Sequence, residues 1–177
     1  MCIRDRAITS PPTLEQVPRR GWGGVFWNNH PTFLTERWSR FAEVYEEAHG
    51  RALARGEKRM LVLCTRVEDT REQAVEKLRP GHDEFWKFLG PYGWSKGYMG
   101  ADGRPAPAGL VPTLEESIDQ RIFLPGSPED LADSIGWYRD LVGVEDLLLF
   151  PGMPGDSYDV VEEQMARLAE EVLPLLS

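Results

Sequence analysis

The chain has 177 residues, 41% hydrophobic and 28% charged, enough apolar side chain to fill the core of one domain. Its 20 Lys+Arg and 29 Asp+Glu give a formal charge of −9, which argues against general binding to a phosphate backbone. No apolar run approaches the roughly 20 residues that cross a bilayer and no signal-peptide core is legible, so a reducing cytoplasm is the expected compartment. Cys2 and Cys64 are too few for a disulfide framework or a zinc site, and Cys64, set in an apolar run, is expected to be a buried thiol.

The first six residues, MCIRDR, fit no later pattern and resemble translated adapter sequence. They are expected to be a non-native leader on a truncated chain, with residues 7–177 forming the domain. Ala7–Thr9 reads as the end of a strand, Thr13–Arg20 as a short helix bent by Pro18, and Gly21–Trp27 as a short aromatic strand. Leu34, Trp38, Phe41, Tyr45 and Ala48 then recur at steps of four and three, one face of a strong helix that Gly50 and Gly56 close.

Arg59–Val67 (RMLVLCTRV) suits a buried parallel strand. Asp69 and Thr70 can cap a helix over Arg71–Leu78, and a second helical piece is expected around Asp83–Leu89. Tyr92–Pro112 is crowded with Gly and Pro and reads as a long insertion loop, a length that is usually functional or disordered. Ile122–Leu124 is a short extended piece. Ser127-Pro128 opens a helix with Leu131, Ile135, Tyr138 and Val142 on one face. Glu145–Phe150 (EDLLLF) is another buried strand, and Val161, Met165, Leu168 and Val172 mark a last helix stopped by Pro174.

Strands separated by helices imply parallel β/α units with right-handed crossovers. About four units are counted, and a closed (β/α)8 barrel takes about 250 residues. Half a barrel is therefore expected, with a small open α/β sheet as the alternative. A half barrel leaves strand edges bare, and bare edges invite pairing.

Ser10-Pro11 follows the first strand. Serine is a good N-cap and proline suits the first helical position, so a plain helix start explains the pair. The same geometry presents free N–H groups and the positive dipole end to an anion, with the Ser10 and Thr13 hydroxyls as further donors. Ser127-Pro128 is an internal control: Glu129 and Asp130 follow it at once and would repel phosphate, whereas no acid follows Ser10 until Glu15.

Asn28, Asn29 and His30 stand at a strand end, where barrel active sites lie, though a turn before proline is the favoured account of them. His49 suits the end of its helix. His82-Asp83-Glu84 reads as a solvated helix start, since the P-C-x-x-C partner of a zinc deaminase is missing. Trp86, Trp94, Tyr98 and Met99 suit either an apolar substrate pocket or core packing. No G-x-S-x-G, P-loop or G-x-G-x-x-G occurs.

The run AITSPPTLEQVPRRGWGGVFW, followed by ERWSRFAEVYEEAHG, resembles the region after the fifth barrel strand of the bacterial-luciferase-like flavin-dependent monooxygenases, the LLM class flavin-dependent oxidoreductases. FLPGSPEDLADSIGWYRDLVGVEDLLLF is similar to that family's G-[ST]-P-E-E-[VL]-A helix and final strand. The resemblance runs from Ala7 to Pro174. It implies an α/β fold, the C-terminal half of a (β/α)8 TIM barrel with a long Gly/Pro-rich insertion. It also implies reduced FMN and O2 acting on a small organic substrate, or hydride transfer in the deazaflavin branches.

By the same resemblance Thr9, Ser10 and Thr13 would hold the flavin phosphate, Phe26 and Trp27 would lie near its ring, and residues 92–112 would close over the site. Asn28, His30, Trp94, Tyr98 and Met99 are the candidate pocket or lid residues. The partners implied are a separate flavin reductase and, for the full-length protein, a second copy. The family's first four strands are missing, so this chain alone is expected to be inactive. The other readings are an unrelated phosphate-binding barrel, such as an isomerase or aldolase, and a non-catalytic luciferase-like subunit.

Overall fold

The structure, a computed structural model, describes residues 5–176. Five strands alternate with helices through these residues: β1 (Asp5–Ile8), α1 (Pro11–Arg19), β2 (Gly23–Trp27), α2 (Pro31–His49), β3 (Arg59–Val67), α3 (Arg71–Leu89), α4 (Leu114–Asp119), β4 (Phe123–Gly126), α5 (Pro128–Val142), β5 (Asp146–Phe150) and α6 (Tyr158–Arg167). The pairs β1–β2, β2–β3 and β3–β4 are all parallel. The strand order is β1-β2-β3-β4, with β5 also pairing with β3. This is the alternating α/β architecture that the sequence pattern requires. The leader reading falls mostly on Met1–Arg4, which lie outside the described residues; Asp5 and Arg6 are part of β1. Among the described residues no helix is long and apolar enough to cross a membrane.

The chain divides into two compact units. One holds the chain up to Leu63 with Trp137–Leu148; the other holds Cys64–Gly136 and the chain from Leu149 onward. In the first unit, Leu34, Trp38, Phe41 and Tyr45 are buried along one face of α2, as their spacing demands. Phe26 of β2 lies 5.0 Å from the Trp38 ring and 5.6 Å from Phe41, centroid to centroid. Gly24 makes room for this contact, since a Cβ there would stand 2.7 Å from the Phe41 ring. Helix α2 stops at Gly50, whose φ of 67° is left-handed, a conformation glycine takes without the penalty a side chain would meet.

In the second unit the two expected helical pieces after Thr70 are one helix, α3, which runs through Pro80. Proline removes one N–H and crowds the preceding turn. Ala74, Leu78, Gly81, His82, Phe85 and Trp86 are buried on both sides of that defect, and their packing holds the helix together. Helix α4 was not expected. Its signal was present in Thr113-Leu114-Glu115-Glu116: the Thr113 hydroxyl accepts from the Glu116 N–H at 3.1 Å, and the Thr113 N–H donates to the Glu116 carboxylate at 2.8 Å.

The Gly/Pro-rich segment is anchored. It contains short helical turns at Gly90–Tyr92 and Trp94–Gly97 and an isolated bridge between Met99 and Pro105. Ser95, Tyr98 and Ala106 are buried within it.

Candidate functional site

The candidate site lies in the first unit, where β1 and β2 end and α1 and α2 begin. Ser10 is the N-cap of α1, with extended backbone at φ −146° and ψ 159°. The Ser10 N–H donates to Thr13 Oγ1 at 3.1 Å, the Thr13 hydroxyl donates to the Ser10 carbonyl at 2.8 Å, and the Thr13 N–H reaches Ser10 Oγ at a long 3.5 Å. This is a capping box built from a neutral side chain, and the first turn contains no acid. Pro11 and Pro12 have no N–H to offer. Both Thr13 hydrogens are used inside the cap, so in the 3.2 Å contact between the two hydroxyls Ser10 is the donor to Thr13 Oγ1. Ser10 and Thr13 are half-buried and Thr9 is exposed.

Arg37 reaches this turn from α2. Its Nη2 donates to the Ile8 carbonyl at the end of β1, at 2.9 Å. Among the described residues no carboxylate pairs with it. Burial without a counter-charge pushes its guanidinium below the usual arginine range, although it stays protonated. Arg40, three residues on, contrasts with it by pairing with Glu15, Glu43 and Glu47.

At the end of β2, Asn28 and Asn29 are buried, and the Asn29 amide donates to the Trp27 carbonyl at 2.6 Å. His30 is the N-cap of α2: its Nδ1 accepts from the Thr32 N–H at 3.3 Å. Burial lowers the pKa of this imidazole and favours the neutral ring. An accepting Nδ1 places the ring proton on Nε2. Phe26, expected near a bound ring, is instead 1% exposed and packed against α2. Trp27 follows it on the strand, faces the other way and is half-exposed, as the two-residue period of a strand requires.

The remaining expected residues are in the second unit. Trp94 is exposed, and Met99 is tied through its backbone N–H and carbonyl to the Gln120 side chain at 2.8 and 3.1 Å. Tyr98 is 1% exposed, with its hydroxyl 2.7 Å from Ser117 Oγ. It packs in the core rather than lining an open pocket. His82 also departs from expectation. It is fully buried in mid-helix, because α3 continues through Pro80 and turns this residue inward. Its Nε2 lies 2.7 Å from Ser117 Oγ and its Nδ1 lies 3.1 Å from Asp83. That order of atoms resembles a nucleophilic triad, but Ser117 is fully buried and its hydroxyl donates to the Thr113 carbonyl at 2.9 Å. The group staples α4 to α3.

Sequence reasoning missed an ionic cluster at the end of β3. Glu68, 3% exposed, takes Arg66 at 2.9 Å, Lys77 at 2.6 Å and Arg167 at 3.7 Å. Arg66 also meets Asp156 at 3.5 Å, and Arg167 meets Asp69 at 2.9 Å. No local pattern announces partners so far apart in the chain.

No family model matches the chain, and no curated protein matches it by sequence. Solved structures do match it. The oxygenating constituent of 3,6-diketocamphane monooxygenase from Pseudomonas putida, a type II Baeyer-Villiger monooxygenase in complex with FMN, superposes with a TM-score of 0.73 at 18% identity, over 98% of this chain and 48% of that one. The monooxygenase RslO1 from Streptomyces bottropensis gives 0.72 at 16% identity, again over 98% and 48%. The coenzyme F420 dependent tetrahydromethanopterin reductase from Methanopyrus kandleri gives 0.62 at 14% identity, over 98% and 50%. The chain thus has the fold of the luciferase-like flavin- and F420-dependent oxidoreductases and spans about half the length of the structures it matches.

Proposed function

We propose that this chain forms the phosphate-binding side of a flavin-dependent monooxygenase that uses reduced FMN and O2 to oxidise a small organic substrate. The observation that carries the reading is the β1–α1 turn. It stands at the carboxyl end of a parallel strand, its helix begins without a carboxylate, and its serine hydroxyl, held only by a 3.2 Å contact to Thr13 Oγ1, can turn to a stronger acceptor. That donor set, beside Arg37, which has no acid partner among the described residues, fits a terminal phosphate. In this reading Thr9, Ser10 and Thr13 hold the phosphate end, and half-exposed Trp27 offers an apolar surface to the ring. Neutral His30, with its proton on Nε2, offers a hydrogen bond to a ligand at the end of β2. The bound reduced flavin would supply the electrons for oxygen chemistry, delivered by a separate reductase. Turnover is assigned to a complete barrel, paired with a second copy.

Flavin fluorescence titration of the wild-type chain and Ser10→Asp tests this. Aspartate caps a helix about as well as serine, so α1 keeps its start while the new charge opposes a phosphate. The expected result is an FMN affinity about a hundredfold weaker, with riboflavin unaffected. Equal FMN affinity in the two proteins, or wild-type FMN binding no tighter than riboflavin, would overturn the assignment. Deazaflavin binding without FMN binding would move the chain to the hydride-transferring branch. Co-purification with a larger flavoprotein, with no flavin bound by the chain itself, would make it an accessory subunit.

A further inference from the structure

The turn opened by Ser10 is short of donors. Two of its first three helical residues are prolines, and both Thr13 hydrogens are used within the cap. The one remaining hydroxyl hydrogen, on Ser10, already lies 3.2 Å from Thr13 Oγ1 and is a thin provision for a dianion, so the positive charge has to come from elsewhere.

Arg37 and Arg59 show where. Both are arginines of the first unit drawn in from solvent, and neither forms an ion pair among the described residues. Arg59 is 5% exposed and satisfied: its Nε, Nη1 and Nη2 donate to the Glu57, Trp38 and Ala54 carbonyls at 3.2, 3.1 and 2.9 Å. Arg37, half-buried, uses only Nη2, on the Ile8 carbonyl, two residues before Ser10. Its Nε and Nη1 have no protein partner among the described residues. Its two unused donors are open to water or to an anion, and an anion would stabilise this partly desolvated cation more than water does.

We infer that Arg37 supplies the charge of this anion site, pairing its free guanidinium edge with the flavin's terminal phosphate beside Ser10. The inference rests on the flavin reading above and adds a residue to it. The fork of a guanidinium matches two phosphate oxygens, while its third nitrogen stays on Ile8 and fixes the end of β1.

The test compares the wild-type chain with Arg37→Gln and Arg37→Lys. Glutamine keeps a donor for the Ile8 carbonyl but not the charge; lysine keeps the charge but not the fork. FMN affinity should fall about tenfold to a hundredfold in Arg37→Gln and less in Arg37→Lys, with riboflavin affinity the same in all three. A loss shared by both flavins would make Arg37 a structural staple, and no loss of either would remove it from the site. Both results overturn the inference. Inorganic phosphate is titrated in parallel and read as the shift in Tm. If the wild-type chain binds no FMN, the flavin reading fails while this second arm still decides on Arg37. A phosphate-induced shift larger in wild type than in Arg37→Gln supports an anion partner, and equal shifts overturn it.

Discussion

Two helices of this molecule open with the same two residues after a strand and solve their first turn differently. After β1, Ser10-Pro11 is followed by Pro12 and Thr13, and the cap closes through a neutral hydroxyl. After β4, Ser127-Pro128 is followed by Glu129 and Asp130. There the Ser127 N–H donates to the Asp130 carboxylate at 3.0 Å, the Asp130 N–H donates to Ser127 Oγ at 3.2 Å, and the Ser127 hydroxyl donates to Glu129 at 3.0 Å. The start of α5 has its own anions and its dipole end is answered. The start of α1 has none. A Ser-Pro helix start is by itself only a cap; the charge that the next two residues bring decides whether it repels or tolerates an outside anion.

Copying α5 onto α1 is the strongest way to break the contrast. In Pro12→Glu/Thr13→Asp the cap gains a carboxylate at the position Asp130 holds, so stability should be kept or rise by about 0.5 kcal/mol. FMN affinity should fall at least about a hundredfold, because two carboxylates then stand where a phosphate would sit. Unchanged binding in a well-folded variant would separate the anion site from this turn. The reciprocal change, Glu129→Gln/Asp130→Ala, should cost about 1–2 kcal/mol in urea unfolding, since it removes both the charged half of the box and the dipole partner. A neutral outcome would mean that the α5 acids stabilise nothing, and the contrast would lose its physical basis.

Much of this contrast was legible before any coordinates, because it is local: cap, proline and acid lie within four residues. The same holds for β3, whose bounds match its apolar run, and for the buried face of α2. What failed to show was decided over distance. Pro80 reads locally as a helix break, but the side chains buried around it carry α3 across, and His82 turned from a solvated start into a buried contact. Phe26 and Trp27 are both aromatic, and only packing against Trp38 and Phe41 reveals that Phe26 belongs to the core. The Glu68 cluster joins residues from β3, α3 and α6. Arg37 sits in a helix rich in charge, and nothing in the sequence separates it from Arg40, which is fully paired. Helix α4 is the exception, a miss whose local capping signal was present and unread.

The caps themselves give a smaller measurement. Ser127→Ala should cost about 1 kcal/mol and Ser10→Ala about 0.5, because the Ser10 cap bond is the longer, at 3.5 against 3.2 Å, and its N3 partner is uncharged. Equal losses in urea unfolding would show that the two starts are energetically alike despite their charge.

The smallest effect separates these two serine caps from the histidine cap, His30 on α2. A hydroxyl caps at any pH, whereas Nδ1 of an imidazole accepts from the Thr32 N–H only when it is unprotonated. Burial depresses the pKa of His30 in the folded chain below its ordinary value of 6.5. The unfolded imidazole therefore binds a proton first as pH falls. The cap's contribution is full above about pH 6.5 and is lost as pH drops through the depressed folded value, where a proton on Nδ1 also sets a positive charge against the positive end of α2. His82, buried in the second unit with its pKa lowered chiefly by desolvation, adds a slope of the same sign, so the wild-type profile alone does not isolate His30. His30→Asn does, since asparagine is a good cap that does not titrate. Between about pH 7 and about pH 5 the wild-type chain should lose about 0.5 kcal/mol more than His30→Asn in urea unfolding. Parallel profiles would mean that the α2 start is as indifferent to pH as the two serine starts.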